Sequence, residues 1–219
     1  PMDDVFATET DASDHQRQNE LVASFVANTR QSLFKAEGVA ARATDFVRSI
    51  FSAVLGRSEN GLHMMVFGSR AHGIYEGGSD LALAVSVRAP RNDLPARENQ
   101  DETPNATKTA SLVVKRLHSY LQGGDQRISH ISMLAVRPNT GDTFKFKFDG
   151  LPVDVNVTSK YTDLSDHPNV SLSTMMKTMV WNRPRVTRDA MFAIVVILRQ
   201  SGLLKTKERP GDWFLPKGL

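Results

Sequence analysis

The 219 residues contain no cysteine, which excludes disulfides, thiolate zinc sites and a cysteine nucleophile. Aromatic residues are sparse: 2 Trp and 3 Tyr beside 11 Phe. No apolar run approaches the roughly 18 residues a membrane-spanning helix needs. Excess charge of one sign is also missing. The formal charge is +3, which permits nucleic-acid binding without demanding it. The opening, PMDDVFATETDASD, has neither an apolar h-region nor Arg-rich amphipathicity, so it does not read as a signal or transit peptide. A chain that opens on Pro1 and closes on FLPKGL reads as a piece of something longer.

What remains is ordinary globular material, 40% hydrophobic and 23% charged, long enough for one large domain or two small ones. Residues 1–17 are polar, acidic and aperiodic, and are expected to be disordered. Residues 18–56 form a helical prelude. Leu21, Val22, Phe25, Val26, Leu33, Phe46, Val47, Ile50, Phe51 and Val54 follow helical spacing, with a break expected at Gly38.

The stretch His63–Val87 organises the rest. A short apolar strand, His63 to Phe67, meets a Gly68-Ser69 turn, and a second strand begins at Asp80. Alternation puts Leu81, Leu83 and Val85 on one face and Asp80, Ala82 and Ala84 on the other. A carboxylate at a strand start, shortly after a Gly-Ser turn, suggests a place where metal and phosphate meet. The turn offers N–H groups and a hydroxyl, and the carboxylate offers a hard oxygen ligand for Mg²⁺.

Arg88 to Asn105 is proline-rich and charged, an expected loop insertion. Thr107 to Leu121 returns to helix, with Leu112, Val113, Leu117 and Leu121 on the buried stripe. A strand over Ile128–Val136 follows, then an alternating strand, Thr143–Phe148. Asp149-Gly150 reads as a hairpin turn, and its return strand, Leu151–Val157, carries Asp154 and Asn156 on the polar face. Lys145 and Lys147 share a face. They read equally as contacts to an RNA backbone or as edge-strand lysines that discourage aggregation. The methionine-rich Leu172–Trp181 is expected to be a packed helix. A second helix, opening after Pro184 and running to Gln200, holds AMFAIVVIL and is expected to be buried on all sides. The six histidines show no ligand spacing.

Gly68-Ser69 followed by Asp80-Leu81-Ala82-Leu83 resembles the signature of the DNA polymerase β-like nucleotidyltransferases, in the branch of non-canonical poly(A) polymerases and terminal uridylyltransferases. The resemblance covers about residues 60–160, and 171–219 more weakly. It implies an α+β fold: a mixed palm sheet of about five strands with helices on one face over residues 57–160 (88–105 inserted), then residues 161–219 as the incomplete start of a central helical domain. It implies transfer of a nucleotide from ATP or UTP to an RNA 3′-hydroxyl through two Mg²⁺ (or Mn²⁺) ions. The metal ligands would be Asp80 and Asp154, with Gly68 and Ser69 on the triphosphate. Other protein subunits could join RNA and nucleotide as partners. The setting implied is intracellular, mitochondrial or cytoplasmic, with no membrane.

Two departures weigh on the activity. The second carboxylate position is Ala82. Losing a bridging oxygen and its charge removes several kcal/mol of stabilisation, a slowing on the order of a thousandfold or more. The triphosphate lysines of the family fall on Ile194 or Val195 and on Leu198 or Arg199, so only Arg199 could substitute for one of them. Ala82 is either an introduced substitution in an enzyme or the mark of a natural pseudoenzyme. The pseudoenzyme would act as a scaffold or RNA-binding subunit. A small-molecule nucleotidyltransferase fits less well, because of the helical prelude and the central-domain-like helix.

Overall fold

The computed structural model describes residues 9–56, 58, 62–75, 78–88, 105–137 and 141–201. The inserted loop beyond Arg88 and the tail bearing Trp213 and Phe214 lie outside the described residues, as do residues 1–8.

The first element, α1, is a single helix, Glu9–Leu55. It runs through Gly38 without the expected break and begins inside the segment expected to be disordered. Once a helix is nucleated, each added residue brings one hydrogen bond at low entropic cost. The penalty of about 1 kcal/mol for an interior glycine is offset by buried turns on both sides, with Leu33 before Gly38 and Ala43 and Val47 after it. An exposed i,i+4 hydrogen bond from Gln16 Nε2 to Glu20 Oε1, 3.1 Å, supports the early turns.

Ten elements are labelled in all. After α1 come β1 (Met64–Phe67), α2 (Ser69–His72), β2 (Leu81–Ser86), α3 (Ala106–Gln122), β3 (Ile128–Arg137), β4 (Gly141–Phe148), β5 (Leu151–Thr158), α4 (Pro168–Trp181) and α5 (Arg185–Gln200). A short 3-10 turn, Leu164–Asp166, precedes α4. The strands form one five-stranded sheet ordered β1-β2-β5-β4-β3. Only β2 and β5 are parallel; the other pairs are antiparallel. That parallel pair needs a crossover, which α3 and the β3–β4 hairpin supply.

One sheet face carries the main core. Leu83, Val85, Phe144, Phe146, Val153 and Val155 pack against Val47, Ile50 and Phe51 of α1 and Val113 and Leu117 of α3. Phe51 stacks on Phe144 at 6.3 Å between centroids. On α3, the expected stripe is only half right. Val113 and Leu117 are buried with Thr109 and Ala110, whereas Leu112 and Leu121 are 43% and 41% exposed. The helix touches the sheet with a narrower face than its leucines suggest.

The opposite sheet face is covered at the β1–β2 end. There Phe67 and Ala84 pack with Leu164 and with Val170 of α4. The last described helix, α5, docks on the first half of α1, where Val26, Leu33, Tyr75, Phe192, Ala193 and Val196 form a second cluster. Contrary to the expectation of all-round burial, Ile194 and Ile197 of α5 are 56% and 53% exposed. A helix that leans on one neighbour buries one stripe, whatever its composition.

Candidate functional site

The polar sheet face holds a row of residues paired across four strands. Phe67 of β1 is the register partner of Ala82, Ala82 of Asp154, and Asp154 of Lys145. Adjacent strands lie roughly 4.8 Å apart, so Ala82 and Asp154 are immediate neighbours. Gly68 follows Phe67 with φ 75°, a conformation glycine adopts without steric cost. A Cβ built on it would lie 3.7 Å from the Ala82 methyl group. The Gly-Ser turn therefore sits over residue 82. Asp80 stands exposed just before β2, two residues from Ala82 and so on the same side of the chain.

Lys145 is not an edge-strand lysine. Its strand, β4, is interior, hydrogen-bonded to β3 and β5. Its Nζ lies 2.8 Å from Asp154 Oδ2, with the side chains 32% and 20% exposed. The second oxygen, Asp154 Oδ1, is buried and has no hydrogen-bond partner among the described residues.

The Gly68 N–H donates to Ser173 Oγ of α4 at 2.7 Å. The Ala71 and Gly73 amides donate to Gly68 and Ser69 carbonyls. Helix α4 thus anchors the turn, and Ser69 offers its hydroxyl from a half-buried position.

Around Asp80 lies a basic group in which the sequence marked Arg199 but not Arg70. Arg70 donates from Nε and Nη2 to the Ser79 carbonyl, at 3.1 and 2.9 Å. Its guanidinium covers the Tyr75 ring at 4.8 Å. Burial lowers its pKa, and the negative character of Tyr75, Glu37 and Asp80 works against that. Tyr75 in turn donates its hydroxyl to Glu37 Oε1 of α1. Arg199, which the resemblance set at a triphosphate-lysine position, donates to Ser79 Oγ at 2.5 Å. It is thereby brought next to Asp80 from a distant part of the chain. His72 has its pKa lowered by burial and by the Arg199 charge.

The residues do not fit the two-metal centre that three carboxylates would build. Among the described residues no group of three His, Cys, Asp or Glu side chains converges. Ala82 offers no oxygen, and one Asp154 oxygen already faces an ammonium group. The two remaining carboxylates must share their field with Lys145 and Arg70, whereas paired divalent ions need several uncompensated carboxylates to offset their repulsion.

No family model matches the sequence, and no curated protein matches it. Solved structures do match. The structure of mtPAP in complex with UTP superposes with a TM-score of 0.56 at 17% identity, over 80% of this chain and 35% of that one. The Cid1 poly(U) polymerase with MgGTP bound gives 0.58 at 11% identity, over 84% and 49%. The GLD-2/RNP-8 complex gives 0.54 at 13% identity, over 84% and 61%. The fold is that of the polymerase β-like nucleotidyltransferases. The chain spans about one third to three fifths of the length of these neighbours. No described helix is long and apolar enough to cross a membrane.

Proposed function

We propose that this chain is a nucleotidyltransferase-fold protein of the poly(A) polymerase and terminal uridylyltransferase type. It takes a nucleoside triphosphate, ATP or UTP, on the polar face of its sheet, in an RNA-processing setting, and transfers nucleotides to RNA very slowly or not at all. The row Phe67–Ala82–Asp154–Lys145 carries this reading. At the point where nucleotidyl transfer needs a bridging carboxylate there is a methyl group, and beside it a cation. The solved neighbours carrying UTP and MgGTP support the ligand class, and Arg199, held on Ser79, supplies positive charge where a triphosphate needs it.

A role within a larger assembly is favoured by a separate observation. Leu172, Met175 and Met179 lie on one face of α4 and are 49%, 53% and 54% exposed. Apolar side chains at that spacing suit a protein partner, and one neighbour was solved as a two-protein complex.

The test is extension of labelled oligo(A) and oligo(U) RNA with UTP and with ATP, in parallel with equilibrium binding of fluorescent analogues of both nucleotides. The expected result is saturable nucleotide binding, with extension about a thousandfold or more below that of an active polymerase. Rapid tailing by the native chain overturns the claim of inactivity. A complete lack of nucleotide binding overturns the claim of a nucleotide site and leaves the assembly role.

A further inference from the structure

We infer that Lys145 is a resident cation at this site: it stands where a divalent metal would approach Asp154, so that the polar sheet face takes a nucleotide triphosphate without a metal ion. The inference rests on the nucleotide site proposed above and says how that site handles charge.

Three observations carry it. The first is placement. Lys145 is not a flexible surface residue that happens to touch an acid, since its backbone is clamped between Ser132 of β3 and Asp154 of β5. The ammonium meets Oδ2 at 2.8 Å, with both side chains less than one third exposed. The second is the net charge of the row. Asp80 and Asp154 contribute two negative charges, Lys145 returns one, and Arg70 acts on Asp80 with another. Nothing in that sum draws in a doubly charged ion, and the ammonium repels one at close range. The third is the missing ligand. Ala82 is the register partner of Asp154, so the position from which a bridging oxygen would hold a metal between β2 and β5 is a methyl group.

The same arrangement suits an anion. A lysine ammonium has three protons and no acceptor. One proton is given to Asp154, and the others are available to phosphate oxygens. Pairing with Lys145 cancels the charge by which Asp154 would otherwise repel a triphosphate. Arg199, at Ser79, adds a second cation beside Asp80, just ahead of β2, the strand that pairs with β5.

The experiment uses the full chain. Mn²⁺ binding is followed by electron paramagnetic resonance, and binding of a fluorescent ATP or UTP analogue is measured in EDTA and in Mg²⁺. The native chain is expected to have no saturable Mn²⁺ site and to bind the analogue with equal affinity in the two buffers. Lys145→Met should weaken binding in EDTA by about tenfold, the loss of one charge-assisted contact. Ala82→Asp alone should gain no Mn²⁺ site, because Lys145 still occupies Asp154, whereas Ala82→Asp combined with Lys145→Met should gain one. A stoichiometric Mn²⁺ site in the native chain overturns the inference, as does one in Ala82→Asp alone, or nucleotide binding that EDTA abolishes. Failure to bind nucleotide in either buffer counts against the proposed nucleotide site, and with it the triphosphate half of this inference, while the Mn²⁺ titrations still decide whether Lys145 excludes metal. Circular dichroism checks the fold of each variant. If the double variant is unfolded, the native and Ala82→Asp titrations decide between these outcomes.

Discussion

Tyr75 ties α1 to the loop ahead of Asp80. Burial, then the Glu37 carboxylate that accepts its hydroxyl proton, push its pKa up to about 12. The sign of the consequence follows from proton counting. Between pH 10 and 12 the folded chain keeps a proton that the unfolded chain, near the ordinary tyrosine value of 10.0, has begun to release. Stability therefore falls as pH rises through that window, and the contribution is fully present below pH 10. Tyr75→Phe is expected to flatten that decline and to cost about 1 kcal/mol at neutral pH for the lost hydrogen bond. Urea denaturation from pH 7 to 11 checks both effects. Individual residues were unevenly legible in the sequence. Gly68 and Asp80 stood out through turn chemistry and a carboxylate at a strand start, and Asp154 through the resemblance to a family. Lys145 and Lys147 look alike in the sequence, two residues apart on one side of a strand. Only the register separates them: Lys145 pairs with Asp154, and Lys147 with Pro152.

The β3–β4–β5 meander depends on Gly141 as much as on its hydrophobic residues. Gly141 opens β4 with φ 89°, and a side chain there would run into the Val157 carbonyl of β5. Gly141→Ala combines a strained backbone with a backbone clash that no rotamer relieves, so it should destabilise by about 2 kcal/mol or more. Chemical denaturation measures that loss. Because β4 carries Lys145 and β5 carries Asp154, the variant should also weaken nucleotide binding. Strand identities were plain in the sequence, since Phe144, Phe146 and Phe148 alternate with Thr143, Lys145 and Lys147, and Asp149-Gly150 is a turn. Helix extents were less plain. A glycine or an acidic start suggests an end, but α1 is sustained by what it leans on, and that is a tertiary property.

Among the described residues, a sheet and a helical pair are joined along one long helix. The second half of α1 packs in the sheet core, through Ala43, Val47 and Phe51, and the first half holds α5, through Val26 and Leu33. Arg30 Nη2 adds an ion pair to Asp189 Oδ1 at 3.0 Å. The two halves should thus open separately. Phe192→Ala, at a position 2% exposed, is expected to cost about 3–5 kcal/mol locally. It should free the amides of α5 to hydrogen exchange while β2, β4 and β5 stay protected. Loss of protection throughout the sheet would mean that the two clusters fold as one unit. The same variant should loosen Arg199 from Ser79, because α5 is what carries Arg199 to the site.

Local order along the chain was enough to specify the strand faces and the polar placement of Asp80 and Asp154, while the fold class and the pairing of those two carboxylates came from the resemblance to a family. Alternation, turn residues and the Gly-Ser-to-Asp spacing are short-range properties, expressed by each segment before it meets another. The absence of a carboxylate at residue 82 was likewise plain from identity alone. Which strand lies beside which, how far α1 runs, and that Arg199 reaches Ser79 were decided only by packing between distant segments. So was the chemical character of the site. Pairing of Lys145 with Asp154 depends on the register of two strands held by their neighbours on either side, and a one-residue slip would turn Lys145 toward the opposite face.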